Sequence, residues 1–327
     1  MLSAGRGQRR RTGTMTQKVI FDTDPGQDDA VAILTALASP EELDILGIVT
    51  VAGNIPLSLT TKNALKLLEL AGRPEIPVHA GCERPMLRPL VTAEHVHGQT
   101  GLDGPDLPEP TLTAREGHGV DFLIETIRAH PAGTIRLMAL GPLTNLGVAF
   151  TKAPDIAARL KDIVLMGGGC FECGNITPAA EFNIYVDPEA AAIVFASGAA
   201  ITVLPLDVTH FMRSTRARIA GFGDLGNSSG AAVAAMLNFS ERFDVEKYGW
   251  EGAPLHDPCV TAFVLRPDIF TARPVNVEVE TGSLLTRGMT VCDYWGVTGR
   301  PQNAHWVRSG DSDAYFALLT ERIARLL

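Results

Sequence analysis

The sequence predicts an α/β fold in a single domain, and three observations carry that reading. Short apolar runs of strand character alternate with stretches of helical period. Hydrophobic residues make up 46% of the 327 positions and charged residues only 20%, enough for one sizeable buried core. No internal repeat, low-complexity linker or sharp change of composition marks a boundary between residues 18 and 327.

The first strand is Val19-Ile20-Phe21, apolar at every position as in strands covered on both faces. An Asp/Gly turn follows, and Ala30 to Leu34 reads as the first helix. Leu43 to Val51 is a second buried strand. Ser58 to Leu70 is an amphipathic helix with apolar residues at 65, 67, 68 and 70. Further strands fit Thr134 to Leu140, Asp162 to Met166 and Ile201 to Leu206. Helices fit Val120 to Ala129, Leu143 to Phe150 and Pro188 to Ala196. Between Cys82 and Glu116 the chain is rich in Pro, Gly and His with little periodicity, and a loop of that length usually has a binding role. After Asp257 come a helix, shorter β-rich pieces (Val275 to Thr281, Met289 to Trp295, Ala304 to Val307) and a closing helix from Asp311. This order predicts a mostly parallel open sheet, Rossmann-like, flanked by helices, with a small antiparallel β element near the C-terminus.

Charge and cysteine usage narrow the partners. Acidic residues outnumber basic ones 37 to 28, a formal charge of −9, which repels a phosphate backbone and argues against a nucleic-acid polymer. No run of 18 apolar residues is present, so no membrane helix is expected. Five scattered cysteines do not make a secreted disulfide framework, and a cytoplasmic protein is expected. Cys170-Phe171-Glu172-Cys173 lacks the second pair a zinc site needs. Residues 1 to 17 are expected to be a disordered basic extension. The first fourteen carry four arginines, no acid and no apolar run, and Met15 is an alternative start.

The sharpest chemical feature is Asp22-Thr23-Asp24-Pro25-Gly26-Gln27-Asp28-Asp29, which sets four carboxylates in the turn between a strand and a helix. Ligands of open α/β sheets sit at this end of the strands. One carboxylate serves a helix N-cap, but four repel one another unless a cation compensates. An oxygen-rich, nitrogen-poor set favours a hard ion such as Ca²⁺ or Mg²⁺ over zinc. His256-Asp257-Pro258 supplies a further acid downstream. Val164-Leu165-Met166-Gly167-Gly168-Gly169 lacks the Lys-Ser/Thr of a phosphate loop, which points to close backbone approach to a ligand.

These residues resemble the signature of the inosine-uridine nucleoside hydrolases. The resemblance runs in order from Asp24-Pro25-Gly26-Gln27-Asp28-Asp29 through Gly53-Asn54, His97-Gly98-Gln99-Thr100-Gly101 and Gly141-Pro142-Leu143-Thr144-Asn145. It continues through the Met-Gly-Gly-Gly run, Glu181-Phe182-Asn183 and His256-Asp257-Pro258. It spans Lys18 to the C-terminus, and Gly101 to Pro105 and Gly252 to Pro258 look most like the bacterial pyrimidine-preferring members. The resemblance implies Ca²⁺ held by Asp24, Asp29, Asp257 and the backbone carbonyl of Leu140. It implies a ribose gripped by Asp28, Asn54, Asn175, Glu181 and Asn183, with Met166 against the sugar.

The implied reaction is hydrolysis of the bond between ribose and base through an oxocarbenium-like transition state. Asp24 is then the candidate general base, and His256 donates to the base or lines its pocket beside His97. The base wall falls between Asn238 and Trp250, with Phe243, Asp244, Tyr248 and Trp250 as candidates and Tyr248 expected to touch the substrate. Position 97 is His where purine-specific members carry a stacking Trp, which weighs against a purine-only enzyme and leaves uridine, cytidine or a broader set that includes purines. The resemblance also implies a homo-oligomer, tetramer or dimer. Two other readings of the residues stand beside this one. A haloacid-dehalogenase-type Mg²⁺ phosphatase would share the strand and Asp-x-Asp start but leave Asp28-Asp29 without a role. A nucleoside-binding or sensory protein would keep the fold without turnover.

Overall fold

A computed structural model describes residues 16 to 327. The basic segment before Met15 lies outside the described residues, and the first strand opens at Gln17, one residue inside the expected extension. In chain order, β1 (Gln17–Thr23), α1 (Gln27–Leu37), β2 (Leu43–Thr50), α2 (Leu57–Leu70) and β3 (Val78–Ala80) build one end of the sheet and its first two helices. A long excursion carrying the short helix α3 (Glu94–His97) follows. The chain then returns through α4 (Gly119–Ala129), β4 (Ile135–Ala139), α5 (Thr144–Lys152), β5 (Asp162–Met166), α6 (Phe182–Val186), α7 (Pro188–Phe195) and β6 (Ile201–Leu204). Next come α8 (Leu206–Thr209), β7 (Arg213–Ser214), α9 (Arg216–Gly223), α10 (Ser228–Tyr248), β8 (Ala253–Pro254) and α11 (Pro258–Leu265). β9 (Phe270–Val279), β10 (Thr290–Asp293), β11 (Ala304–Gly310) and α12 (Ser312–Ile323) close the chain.

Nine strands form one sheet in the order β10-β9-β11-β6-β5-β4-β1-β2-β3. β1 pairs in parallel with both β2 and β4, so the strand order reverses beside β1. Such a switch point opens a crevice at the carboxyl ends of the strands. The expected antiparallel element is present, but it extends the main sheet: β9 runs antiparallel to both β11 and β10. β7 and β8 form a separate two-stranded ribbon.

Alternation along the strands feeds two cores, one on each face. Val19 and Phe21 of β1 and Val164 and Met166 of β5 pack under α1, α10 and α12. Ile20, Ile163 and Leu165 point to the other face, against α5 and α7. Helix boundaries follow local chemistry. Asp187 accepts the Ala190 N–H at 3.1 Å with Pro188 in the first turn of α7. Asn227 accepts the Gly230 N–H at 2.7 Å to start α10, and Gly249 at φ +65° ends it.

Candidate active site

The loops that leave β1, β2, β4 and β5 meet at the crevice. Asp24 is 1% exposed, and its Oδ2 accepts the backbone N–H of Asn54 at 2.7 Å. Its other oxygen, Oδ1, is buried with no hydrogen-bond partner among the described residues. Two glycines leave room for this carboxylate: a Cβ at Gly53 would stand 2.1 Å from Oδ2, and one at Gly141 2.3 Å from Oδ1. Asp29 is fully buried and accepts from the Thr23 hydroxyl, from the Gly26 N–H at 3.0 Å and from the Asn54 amide at 3.2 Å. Asp28, Asp29 and Asp257 each bring an oxygen within 4.8 Å of the others.

Burial and mutual repulsion set the electrostatics of this floor. Burial first, then the charge of Asp29, holds Asp24 well above the usual carboxylate range. Asp29 is pushed up to about 6 by burial and by Asp28, and Asp257 is raised by burial and then by Asp28, Asp29 and Asp24. A cation would relieve all of these at once, and the donors are oxygens throughout, which suits a hard ion. The Leu140 carbonyl accepts the Asn183 amide at 2.7 Å and, having two lone pairs, keeps one to offer.

The side of the pocket expected to meet the sugar is fixed by backbone contacts. Glu181 caps α6, accepting from Asn183 N–H at 3.0 Å and Ile184 N–H at 3.2 Å, and its Oε2 also accepts the Gly168 N–H at 3.0 Å. Burial pushes Glu181 up to about 7. Asn183 donates to the Met166 carbonyl as well, at 3.3 Å, and Asn175 Oδ1 accepts the Phe182 N–H at 2.9 Å. The glycine-rich run is therefore a fold element here. Its N–H groups go to Glu181 and, through Gly169, to the Thr290 hydroxyl at 3.0 Å, with Gly168 at φ +75°.

Histidines and aromatic rings form the opposite wall. His97 Nδ1 lies 2.6 Å from Gln27 Oε1, and Gln27 Nε2 donates to the His97 carbonyl at 2.9 Å. His256 Nδ1 lies 2.7 Å from the Thr209 hydroxyl at the end of α8. Burial depresses His256 to about 4, so its ring is neutral at neutral pH. A hydroxyl that donates to Nδ1 leaves the ring proton on Nε2. Phe243 and Tyr248 come from the last turns of α10, and Trp250 stacks behind Tyr248 at 4.5 Å rather than facing the pocket. The side chain of Asp244 lies outside the described residues.

Among the described residues, one pocket thus gathers the side chains expected to hold sugar or base, from Asn54 and His97 to Tyr248 and His256, except Trp250, which stands behind Tyr248. Asp24 and Asp29 lie beneath its floor. Sequence reasoning missed His210, which lines the same wall, and Asp207 and Thr209, which prepare it. Only contacts with distant chain show their use, Asp207 with Glu172 35 positions away and Thr209 with His256 47 positions away, and no local pattern signals that.

The family described as inosine-uridine preferring nucleoside hydrolase matches residues 19–317. An uncharacterized protein of Schizosaccharomyces pombe is 52% identical, covering 94% of this chain and 99% of its own. The pyrimidine-specific ribonucleoside hydrolase RihA of Salmonella paratyphi B is 44% identical over the same shares of both chains. The solved purine-preferring ribonucleoside hydrolase of Gardnerella vaginalis superposes with a TM-score of 0.88 at 31% identity, covering 94% of this chain and 98% of that one. The phosphatase reading falls with these matches. Matched along nearly its whole described length, the chain belongs to the inosine-uridine preferring nucleoside hydrolase family and is a glycosidase of small-molecule nucleosides.

Proposed function

We propose that the protein is a Ca²⁺-dependent ribonucleoside hydrolase that favours pyrimidine nucleosides such as uridine and cytidine, releasing ribose and the free base. A cytoplasmic homo-oligomer is part of the same reading. One observation carries it: a single pocket joins a floor of buried carboxylates, with the unpartnered Asp24 Oδ1, to a wall of neutral histidine and aromatic rings. For the base, the pyrimidine-specific relative is 44% identical and the purine-preferring structure 31%. His97 in place of a stacking Trp points the same way.

Asp24, Asp29, Asp257 and the Leu140 carbonyl would hold the cation, with Asp28 close enough to share it. When bound, Ca²⁺ offsets the carboxylate charge and acidifies an adjacent water. Asp24 Oδ1 is free of other partners and takes the proton of the attacking water as general base. Asp28, Glu181 and Asn183 hold the ribose hydroxyls, and the buried carboxylates stabilise positive charge spreading over the sugar ring. His256 meets the departing base as a hydrogen-bond donor from Nε2.

A panel of ribo- and deoxyribonucleosides, read by reducing-sugar release with and without chelator, tests this. Uridine and cytidine should be cleaved, chelation should abolish turnover and Ca²⁺ restore it. Deoxyuridine should lag uridine by roughly 10⁴, because losing the 2′-hydroxyl strands buried partners. Full activity in a verified metal-free preparation, or equal rates on uridine and deoxyuridine, would refute the reading.

A further inference from the structure

The short segment Leu206-Asp207-Val208-Thr209-His210 lies outside every motif used so far, yet it organises the base wall. Asp207 is fully buried and gathers the loop after β5. Its Oδ1 accepts the backbone N–H groups of Phe171 and Glu172, each at 2.7 Å, and its Oδ2 accepts the Cys170 N–H at 3.1 Å and the Trp306 indole N–H at 2.7 Å. That clamp presents Glu172 to His210, whose Nδ1 stands 2.9 Å from Glu172 Oε2. The His210 ring is 7% exposed and lines the pocket. It meets Trp250 edge-on at 4.9 Å and His256 at 5.9 Å between ring centroids.

This arrangement decides which ring nitrogen faces a ligand. Burial lowers the proton affinity of His210, and the carboxylate of Glu172 only partly opposes it, so the ring is neutral at neutral pH. A carboxylate facing Nδ1 draws the single ring proton to that nitrogen. Nε2 then carries a lone pair. It has no hydrogen-bond partner among the described residues and is not closed off from solvent. His256 Nδ1 instead faces a hydroxyl, which can serve either tautomer, so of the two rings only His210 has its tautomer set by a carboxylate.

We propose that His210, positioned by Glu172 and by the Asp207 clamp, is a specificity residue whose Nε2 accepts a hydrogen bond from an N–H on the edge of the nucleobase. The inference rests on the nucleoside-hydrolase reading of the pocket and adds the edge that is read. Uracil offers its ring N3–H, and a base methylated there offers nothing.

The experiment compares uridine, 3-methyluridine and p-nitrophenyl riboside as substrates for the wild type, His210→Phe and Glu172→Gln. Binding of free uracil and 3-methyluracil is measured by calorimetry on the same proteins. In His210→Phe the loss of kcat/KM on uridine should exceed that on p-nitrophenyl riboside by about tenfold or more, and the preference for uridine over 3-methyluridine should collapse. Glu172→Gln, which no longer fixes the tautomer, should narrow the same preference by a smaller factor. Uracil should bind the wild type about tenfold more tightly than 3-methyluracil, and His210→Phe should erase that gap. An unchanged uridine to 3-methyluridine ratio in both variants, or equal losses on all substrates, overturns the proposal. The calorimetric comparison needs no turnover. A protein that binds uracil as described yet cleaves no nucleoside would sink the hydrolase reading alone.

Discussion

The floor and the wall of the pocket are built on different principles. On the floor, three of the carboxylates rest on backbone N–H groups: Asp24 on Asn54, Asp29 on Gly26, Glu181 on Gly168 and Asn183. These donors belong to the main chain that leaves β1, β2 and β5 or opens α6. On the wall, contacts run largely between side chains, with one partner on α3, α8 or α10, as in His97 with Gln27, Thr209 with His256 and Tyr248 with Trp250. Such contacts can be changed one residue at a time. On the proposed reading, a floor held by the main chain suits the step every nucleoside shares, and a wall of exchangeable side chains suits the choice of base.

Three measurements break or sharpen that contrast. The largest effect is expected on the floor. Asp24→Asn keeps the shape but removes the base and a charge, and should lower kcat/KM on all nucleosides alike, by about 10² to 10⁴. Metal content measured by elemental analysis separates lost catalysis from lost cation. A strongly substrate-dependent loss would contradict the shared role of the floor. On the wall, His256→Ala should cost about ten- to a hundredfold on nucleosides and least on p-nitrophenyl riboside, whose leaving group departs as a stable anion. Equal loss on every substrate would reduce His256 to a structural residue.

The smallest effect is on stability. Asp22 and Glu181 are pushed up to about 7 and Asp29 to about 6, chiefly by burial. A carboxyl raised in the fold holds a proton that the unfolded chain releases. Its stabilising contribution is complete below the ordinary range and lost as pH climbs through the raised value. The depressed His97, His210 and His256 act in the opposite sense, losing stability as pH falls below their ordinary 6.5. From about pH 8 down to 7 the carboxyls dominate the titration, so the chelator-treated protein should melt at rising temperature across that window. Below it the histidines offset the gain. With Ca²⁺ present the dependence should flatten, as cation and protons compete for the same oxygens; a Tm of chelated protein that falls over that window would count against the buried-carboxyl account.

The floor was legible in the sequence because it is local. Asp24, Asp28 and Asp29 share one turn, and the run Val19-Ile20-Phe21 before them is apolar at every position. The large helices and the strands β1, β2, β4, β5 and β6 were legible for the same reason. β3 was not, having three residues, and neither was α3, folded inside a stretch without periodicity. The first ten residues of α10 also went unread, since small residues and serines blur its apolar stripe. His210 stayed hidden because its meaning depends on Glu172, 38 positions away, and on a clamp set by a single buried aspartate.

Helix α10 has consequences beyond the pocket it lines. Asn227 opens it and Gly249 stops it, and between those two residues lie both Phe243 and Tyr248 of the wall but no residue of the carboxylate floor. The stretch behaves as a cassette with its own start and stop signals. A crossover at each end would replace much of the face seen by the base while every carboxylate keeps its neighbours. Chimeras between relatives of different preference have natural seams there, and a graft along them exchanges what is recognised without rebuilding what reacts.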